Sequence, residues 1–289
     1  MKPITEYPKG AGYFDISSTW YYGGPLIKNF EIESIKDFYV RFHKYCEENK
    51  IVSEFVRMHP LIKNYEQVDD NALITKRWDI VYIDLEKDRK QIIAEFNKTC
   101  RRYINKSNML GLVIERSNSQ DSIEEFYNLY TESMHRKAAN QFYFFSRSFL
   151  NRLIKEFGEQ AQIFLAKMEG NIISADLILH NNYFSSSYLR AFNPKYKKIN
   201  PNNLLITEQI MWSKSIGCRY FLLHGGQLED DSLFKFKKSF SKTVAPFYTY
   251  QKIHNDEIYN LLAKTRNIIQ PSTVSDYFPI YRSPRNIKI

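Results

Sequence analysis

The sequence has few of the residues that mark disulfide-linked or collagen-like proteins. Its 289 residues include only three cysteines, Cys46, Cys100 and Cys218, which lie far apart and form no CxxC pair. An odd number of scattered cysteines argues against a disulfide framework and against a thiolate zinc site. Ten glycines and ten prolines exclude a collagen-like or linker-rich chain. These absences predict a reduced compartment.

Long apolar runs are also missing. No stretch approaches the roughly 18 consecutive apolar residues that a membrane span requires, and Asp176 interrupts even the apolar segment ISADLIL. The first residues, MKPITEYPKG, lack the positive and then apolar pattern of a signal peptide. We therefore expect a cytoplasmic protein and leave open a peripheral contact with the inner face of the membrane.

Several motifs of known catalytic sites do not occur. The sequence has no GxxxxGK[ST], no GxGxxG after a strand, no HExxH and no GxSxG. The six histidines show no metal-ligand spacing with cysteines or carboxylates; they are His43, His59, His135, His180, His224 and His254. The sequence therefore predicts no metal site and no tightly bound cofactor.

Positive charge and aromatic residues are present in excess. Lys and Arg number 41 against 32 Asp and Glu, which gives a formal net charge of +9, and there are 21 Tyr and 21 Phe. A basic surface favours polyanions such as phosphates, nucleic acid or an anionic membrane. The hydrophobic fraction of 43% is enough for a globular core. Neither bias identifies a reaction.

The order of predicted elements indicates an α+β fold. Hydrophobic periodicity and turn residues predict helices over 33–50, 87–107, 122–137, 146–157, 203–215 and 254–265, and strands over 51–58, 79–85, 111–116, 162–168, 172–180, 183–190, 219–223 and 247–252. This is not the strict alternation of a doubly wound sheet. The first half repeats the order of the second in a blurred form.

Short motifs along the chain resemble those of one family. They are Tyr22-Gly23-Gly24-Pro25-Leu26, Arg101-Arg102 through Lys106 to Gly111, Phe126-Tyr127 with Met134, and a late set with Glu208, Gly217, Gly225-Gly226 and Phe236-Lys237-x-x-Phe240. The ordered set covers about residues 20 to 250 and resembles the FemAB-like acyltransferases. Two positions depart from the family pattern: Ser241 replaces a usual Gly, and His224 precedes the Gly pair where Asp-aromatic is commoner.

The resemblance implies two tandem acetyltransferase-like (GNAT-type) units with mixed sheets and flanking helices. We place a degenerate N-terminal unit at 1–108, a C-terminal unit at 109–265 and a surface-wrapping tail at 266–289. The resemblance also implies transfer of an aminoacyl or acyl group onto an amine of a cell-envelope precursor, in peptidoglycan or polysaccharide biosynthesis. The acceptor would be a nucleotide-sugar or a lipid-linked glycan.

The same resemblance suggests a role for individual residues. Lys237 would stabilise the oxyanion of the transfer, with Phe236 beside it to position the lysine and limit water. The alternative is that Lys235, Lys237, Lys238 and Lys242 form one solvated basic face. His224 is a candidate proton acceptor, against the alternative of a core or turn histidine.

Further residues are candidates for substrate binding. Arg57, Arg102 and Lys106 would hold phosphates, and Arg190 would line the cleft. Tyr22, Gly23 and Gly24 would let the backbone approach the acceptor, or they form a plain tight turn. For each of these positions, a helix end, strand edge or turn is the alternative explanation.

The donor and the class of function remain open at this point. The Arg/Gln-x-x-Gly-x-Gly/Ala loop that holds the pyrophosphate of acetyl-CoA in related enzymes is absent. This absence favours aminoacyl-tRNA as the donor, with acyl-CoA and an amino-sugar acceptor as the alternative. A basic nucleic-acid-binding module without catalysis is the alternative from another class.

Overall fold

A computed structural model describes residues 1–28, 32–69, 71–226, 231–265 and 277–283. The strands are β1 Lys2–Pro3, β2 Phe14–Ser17, β3 Ile51–Arg57, β4 Leu73–Asp84, β5 Val113–Arg116, β6 Ala161–Met168, β7 Asn171–His180, β8 Phe184–Phe192, β9 Tyr220–His224 and β10 Val244–Ile253. The helices are α1 Ile32–Glu48, α2 Arg89–Glu95, α3 Lys98–Met109, α4 Gln120–Arg136, α5 Arg147–Phe157, α6 Pro201–Ser215, α7 Ser232–Lys238 and α8 Asp256–Lys264.

The chain packs into two compact units. The first consists of Met1–Trp78 with Ala245–Ile289, and the second of Asp79–Val244. The expected boundaries of 1–108 and 109–265 divide the chain differently, because α2 and α3 pack within the second unit and α8 within the first. The first unit is therefore discontinuous in sequence.

The first unit is built around a mixed sheet. β2 pairs with β3 in parallel. β1 is antiparallel to β2, and β10 is antiparallel to β3. α1 places Tyr39 and Cys46 at buried positions seven residues apart, so one face of this helix packs inward. One hydrophobic core of this unit consists of Ile4, Val52, Tyr259, Leu262, Ala263, Ile280 and Tyr281.

The described part of the predicted tail is partly buried in the first unit. Ile280 is 4% exposed and Tyr281 is fully buried, whereas Tyr277 is exposed. The Tyr281 hydroxyl donates to Asp15 Oδ1 at 2.5 Å, and Arg282 Nε donates to Asp15 Oδ2 at 2.5 Å. Apolar burial and this buried ion pair hold residues 280–282 to the first unit. The remainder of 266–289 lies outside the described residues.

The second unit has helices on both faces of its sheet. β5, β6, β7 and β8 form an antiparallel meander, β9 is parallel to β8, and β4 is antiparallel to β9. Phe164 and Leu165 on β6 face different cores, because neighbouring strand residues point to opposite faces. α2, α3 and α6 cover one core, and α4 and α5 cover the other. The expected α+β class with mixed sheets is confirmed.

The single helix expected over 87–107 is wrong. α2 ends at Glu95, and α3 begins after Asn97, whose backbone is extended at ψ 163. The Asn97 side chain accepts a hydrogen bond from the Cys100 backbone N–H at 2.7 Å and so caps a new helix. The expected glycine after α6 is confirmed, since Gly217 has a φ of +87°.

Candidate active site

Two parallel strands part in the middle of the second unit. β8 pairs with β9 only from Phe184 to Ser186, although β8 continues to Phe192. A bulge at Tyr188 shifts the pairing of β8 with β7, and another at Leu223 shifts the pairing of β9 with β4. Bulges end regular pairing and re-aim side chains. The polar groups nearest this separation form the candidate site.

Lys237 is placed there by a short, well-anchored helix. Asp231 caps α7 by accepting the Phe234 backbone N–H at 2.7 Å. Phe234 and Phe240 are buried, and Phe236 packs edge-to-face on Phe240 with ring centroids 5.5 Å apart. The half-buried Lys237 Nζ donates to the Gly225 backbone oxygen at 2.6 Å. Phe236 thus contributes to packing next to the lysine, which is not part of a uniformly solvated face.

The surroundings of Lys237 weaken its hold on a proton. Burial lowers the pKa of Lys237 to about 7, and the positive charge of Arg190 acts in the same direction. The carboxylates of Asp176 and Asp231 oppose this effect on the pKa. Near neutral pH, the group therefore exists as both ammonium and amine.

A buried ion pair fixes Arg190. Asp176 on β7 is fully buried, and its Oδ2 accepts from Arg190 Nε at 2.7 Å and from the Ser187 hydroxyl at 2.7 Å. Arg190 Nη2 donates to Ser187 Oγ at 2.6 Å. Burial raises the pKa of Asp176, while Arg190 acts to lower it. The guanidinium of Arg190 is therefore held on β8 beyond the point where β9 leaves it.

His224 ends β9 in a left-handed conformation with a φ of +63°. Its Nε2 lies 2.5 Å from the Ser186 hydroxyl oxygen. His224 directly precedes Gly225, whose carbonyl oxygen accepts from Lys237. A Cβ on Gly226 would overlap the Asp231 carboxylate, which explains the glycine there. Lys237, His224 and Arg190, three of the expected site residues, are thus grouped in this unit.

Arg102 and Lys106 lie on a different part of the second unit. Both are exposed on α3. The Arg102 guanidinium lies 5.3 Å from the Tyr103 ring centroid, and Lys106 Nζ donates to the Lys198 backbone oxygen at 2.9 Å. These contacts tie the two cations to α3 itself and to the connection between β8 and α6, rather than to Lys237.

Four expected binding residues belong to the first unit. The Tyr22 ring packs edge-to-face on His59 and Phe247, at 5.2 and 5.6 Å, and burial raises its pKa. The Gly23 N–H donates to the Arg57 carbonyl oxygen at 2.8 Å. The Arg57 guanidinium lies 4.9 Å from the Phe55 ring centroid.

The two neighbouring glycines are required by close packing in the first unit. Gly24 has a φ of +95°, and a Cβ there would lie 2.9 Å from both Met58 Sδ and Asn64 Nδ2. A Cβ on Gly23 would lie 2.9 Å from Ser18 Cβ. The turn therefore needs glycine for its own packing.

Ser187 and Asp176, two polar groups at the site, belong to none of the sequence motifs. Ser187 has no motif around it, and Asp176 had no assigned partner. Asp231 had a usable signal, because an aspartate three residues before a buried phenylalanine is typical of a helix cap. Ser241, at the unusual position, is fully buried and accepts the Thr243 backbone N–H at 3.0 Å.

The matched family agrees with this location. Residues 94–238 match the sequence model described as Acetyltransferase (GNAT) domain. The matched segment is half of the chain, lies within the second unit and ends one residue after Lys237. The chain belongs to this family and is an acyltransferase.

Solved structures share the fold. FemX matches with a TM-score of 0.70 at 13% identity, over 88% of this chain and 84% of that chain. The C-terminal domain of a putative lysylphosphatidylglycerol synthetase from Agrobacterium fabrum gives 0.58 at 15% identity, over 81% and 78%. L-PGS from Bacillus licheniformis gives 0.56 at 17%, over 82% and 77%. The expected FemAB-like GNAT fold is confirmed. No curated protein sequence matched the chain.

The described residues contain neither a candidate membrane span nor a candidate metal cluster. None of the helices in the described ranges is long and apolar enough to cross a membrane. Within the same part of the chain, no three His, Cys, Asp or Glu residues are grouped in a way that could hold a metal ion.

Proposed function

We propose that this acyltransferase moves an aminoacyl or acyl group onto an amine of a cell-envelope or surface-glycan precursor. The observation that carries the proposal is the half-buried Lys237 ammonium, held against Gly225 where β8 and β9 part. The fold shared with FemX and with lysylphosphatidylglycerol synthetases supports transfer of an amino acid to an envelope component.

The chemistry needs a fixed positive charge. The acceptor amine attacks the carbonyl carbon of the donor ester, forming a C–N bond and placing negative charge on the carbonyl oxygen. The C–O bond to the donor then breaks, and the proton lost by the amine goes to the leaving oxygen. A cation held in a partly dehydrated site lowers the barrier to the charged intermediate. Lys237 performs this role as its ammonium form.

Neighbouring residues have supporting roles. Arg190, fixed by Asp176, keeps a second positive charge beside the reacting carbonyl. His224 is the candidate to receive the amine proton, with Ser186 orienting its ring. Arg57, Arg102 and Lys106 remain the proposed phosphate contacts of a nucleotide-sugar or lipid-linked acceptor. Tyr22, Gly23 and Gly24 remain the proposed backbone approach to it.

The donor in this proposal is aminoacyl-tRNA, because the pyrophosphate loop of acetyl-CoA enzymes is missing from the sequence. The basic surface would supply the contacts to tRNA. One observation favours acyl-CoA as a second candidate, since the matched family is described as acetyltransferases. With that donor a C–S bond would break in place of the C–O bond.

Mass spectrometry of envelope precursors tests the proposal. Cells that produce the chain are compared with cells that produce Lys237→Met, with the exposed Lys235→Met on the same helix as the control. An added amino-acid mass that disappears in Lys237→Met supports the first donor, and an added acyl mass supports the second. If the precursor masses are the same in cells that produce the wild-type chain, Lys237→Met and Lys235→Met, the transferase proposal is refuted.

The pH profile of purified transferase tests the role of the lysine. If the ammonium stabilises the oxyanion, the rate falls as the pH rises through about 7, where Lys237 loses its proton. Lys237→Arg keeps its charge, so this fall is absent in that variant. Lys237→Ala loses at least about ten-fold in rate. A rate that instead rises through pH 7 in the wild type, and not in Lys237→Arg, would assign the lysine as a base.

A further inference from the structure

A cavity of about 800 Å³ lies within the first unit, between α1 and the ends of β3 and β10. Its volume is that of a pocket for a small metabolite. One face of α1 supplies Val40, His43, Lys44 and Glu47, and the remaining lining residues are Tyr13, Lys50, Ile51, Lys252, Ile253, His254 and Asn255. None of these residues belongs to the Lys237 group in the second unit.

Two imidazoles in the wall are each backed by a buried carboxylate. His43 Nε2 lies 3.0 Å from Asp69 Oδ2, and His254 Nε2 lies 3.3 Å from Glu54 Oε2. The two rings meet edge-to-face with centroids 5.5 Å apart. The contact of His254 with Glu54 has hydrogen-bond geometry, whereas the approach of His43 Nε2 to Asp69 Oδ2 is a close contact without it.

Three lysines line the cavity, while the carboxylates of Asp69 and Glu54 lie behind its wall against Lys252 and His254. Lys44, Lys50 and Lys252 face a single lining carboxylate, Glu47. Lys252 Nζ is committed to Asp69 at 3.0 Å, and its side chain is only 17% exposed. Lys44 makes an exposed ion-pair contact of 3.9 Å with Glu48. Lys44 and Lys50 are thus the cations available to a ligand, and clustered ammonium groups suit phosphate oxygens.

We propose that this cavity is a binding site for a phosphate-bearing small molecule, with Lys44 and Lys50 contacting the phosphate. Tyr13, Val40 and Ile253 give the body of the ligand an apolar surface. The site is separate from the proposed transfer reaction, so a failed transfer assay leaves it unaffected.

The charged groups around His43 determine the pH dependence of binding. Burial lowers the pKa of His43, and Lys252 on β10 and His254 directly after that strand lower it further. Asp69, which follows β3 in the chain, and Glu54 on β3 act to raise this pKa. His43 is therefore neutral in the empty site at neutral pH. A bound anion raises this pKa, so binding is coupled to proton uptake by His43, and the affinity for an anion of constant charge increases as the pH falls.

The experiment titrates the full chain with inorganic phosphate and follows the histidine ring signals by NMR. We expect a saturable shift of the His43 and His254 signals. Lys44→Ala and Lys50→Ala each weaken phosphate binding by about ten-fold. Lys36→Ala is the matched control, because Lys36 is exposed on the same helix and does not line the cavity. All three lysines are on the surface, so these variants should fold.

Further arms separate the effect of pH and the source of the phosphate. Sulfate keeps its charge across the pH range used, so its affinity should rise with falling pH in the wild type and not in His43→Gln. Glycerol phosphate represents soluble esters, and vesicles of phosphatidylglycerol, compared with phosphatidylcholine vesicles, represent a lipid headgroup. If glycerol phosphate binds more tightly than the vesicles, the phosphate comes from a soluble ester. If phosphatidylglycerol vesicles bind more tightly, it comes from a lipid headgroup. Lack of a saturable shift with phosphate, or equal weakening by Lys36→Ala, would overturn the proposal.

Discussion

Arg190→Met removes the partner of a carboxylate that has no access to water. Asp176 is fully buried, and the Arg190 side chain is 16% exposed. Breaking a buried ion pair by deleting one member costs about 3–5 kcal/mol, because the remaining charge stays buried and unpaired. For a protein of this size, that loss lowers the melting temperature by about 6–20 °C. Calorimetry or thermal denaturation followed by circular dichroism measures it.

The double variant Asp176→Leu/Arg190→Met distinguishes the charge from the packing. With both charges replaced by apolar side chains, stability should return to within about 2 kcal/mol of the wild type. The surface pair of Arg152 and Glu156 is the control, since these side chains are 72% and 65% exposed. Arg152→Met should change stability by less than about 1 kcal/mol.

The loss in Arg190→Met should also depend on pH. Burial already raises the pKa of Asp176, and without Arg190 this pKa rises further. Because the pKa of Asp176 is raised in the folded state, the loss of stability in Arg190→Met is largest at pH values where the Asp176 carboxyl is ionised. The deficit should therefore shrink as the pH falls towards the ordinary value of 3.8. A deficit independent of pH and equal in the single and double variants would refute the buried-charge explanation.

Two further predictions concern stability. Gly24→Ala should cost at least about 2 kcal/mol, because its φ of +95° is combined with crowding by Met58, whereas Gly111→Ala, at φ +73° in open space, should cost about 1 kcal/mol; denaturant unfolding of the two variants compares them. Asn97→Ala should lose about 1 kcal/mol with the cap of α3, and the exposed Asn105→Ala within the same helix should lose less; equal losses would contradict the capping role.

Local signals in the sequence predicted most of the second unit. The hairpins of the meander, the glycine after α6 and the apolar stripes of α4 and α5 depend on neighbouring residues, so periodicity detects them. The helix expected over 87–107 failed at Asn97, where a side chain that caps a new helix outweighed the continuing apolar pattern. The burial of Ile280 and Tyr281 could not be predicted from neighbouring residues, since it depends on distant residues of the first unit.

The candidate site contains contacts that spacing along the sequence does not predict. The Phe-Lys-x-x-Phe motif located Lys237, and a family resemblance suggested its role. The hairpin register near His180 and Ser185 would place Asp176 opposite Leu189. The bulge at Tyr188 shifts the register by one residue and brings Arg190 opposite Asp176. That shift has no marker in the sequence, so the buried pair was visible only in the structure.

The discontinuity of the first unit has a consequence for synthesis on the ribosome. Once Asp79–Val244 has left the exit tunnel, the second unit is complete, while Met1–Trp78 still lacks β10, α8 and two of the donors to Asp15, Tyr281 and Arg282. Nascent domains generally fold as units, so the second unit can fold first, and Met1–Trp78 must wait for the segment that begins at Ala245. A premature stop codon before Tyr281 would leave the Asp15 carboxylate with the Ser53 hydroxyl but without Tyr281 and Arg282.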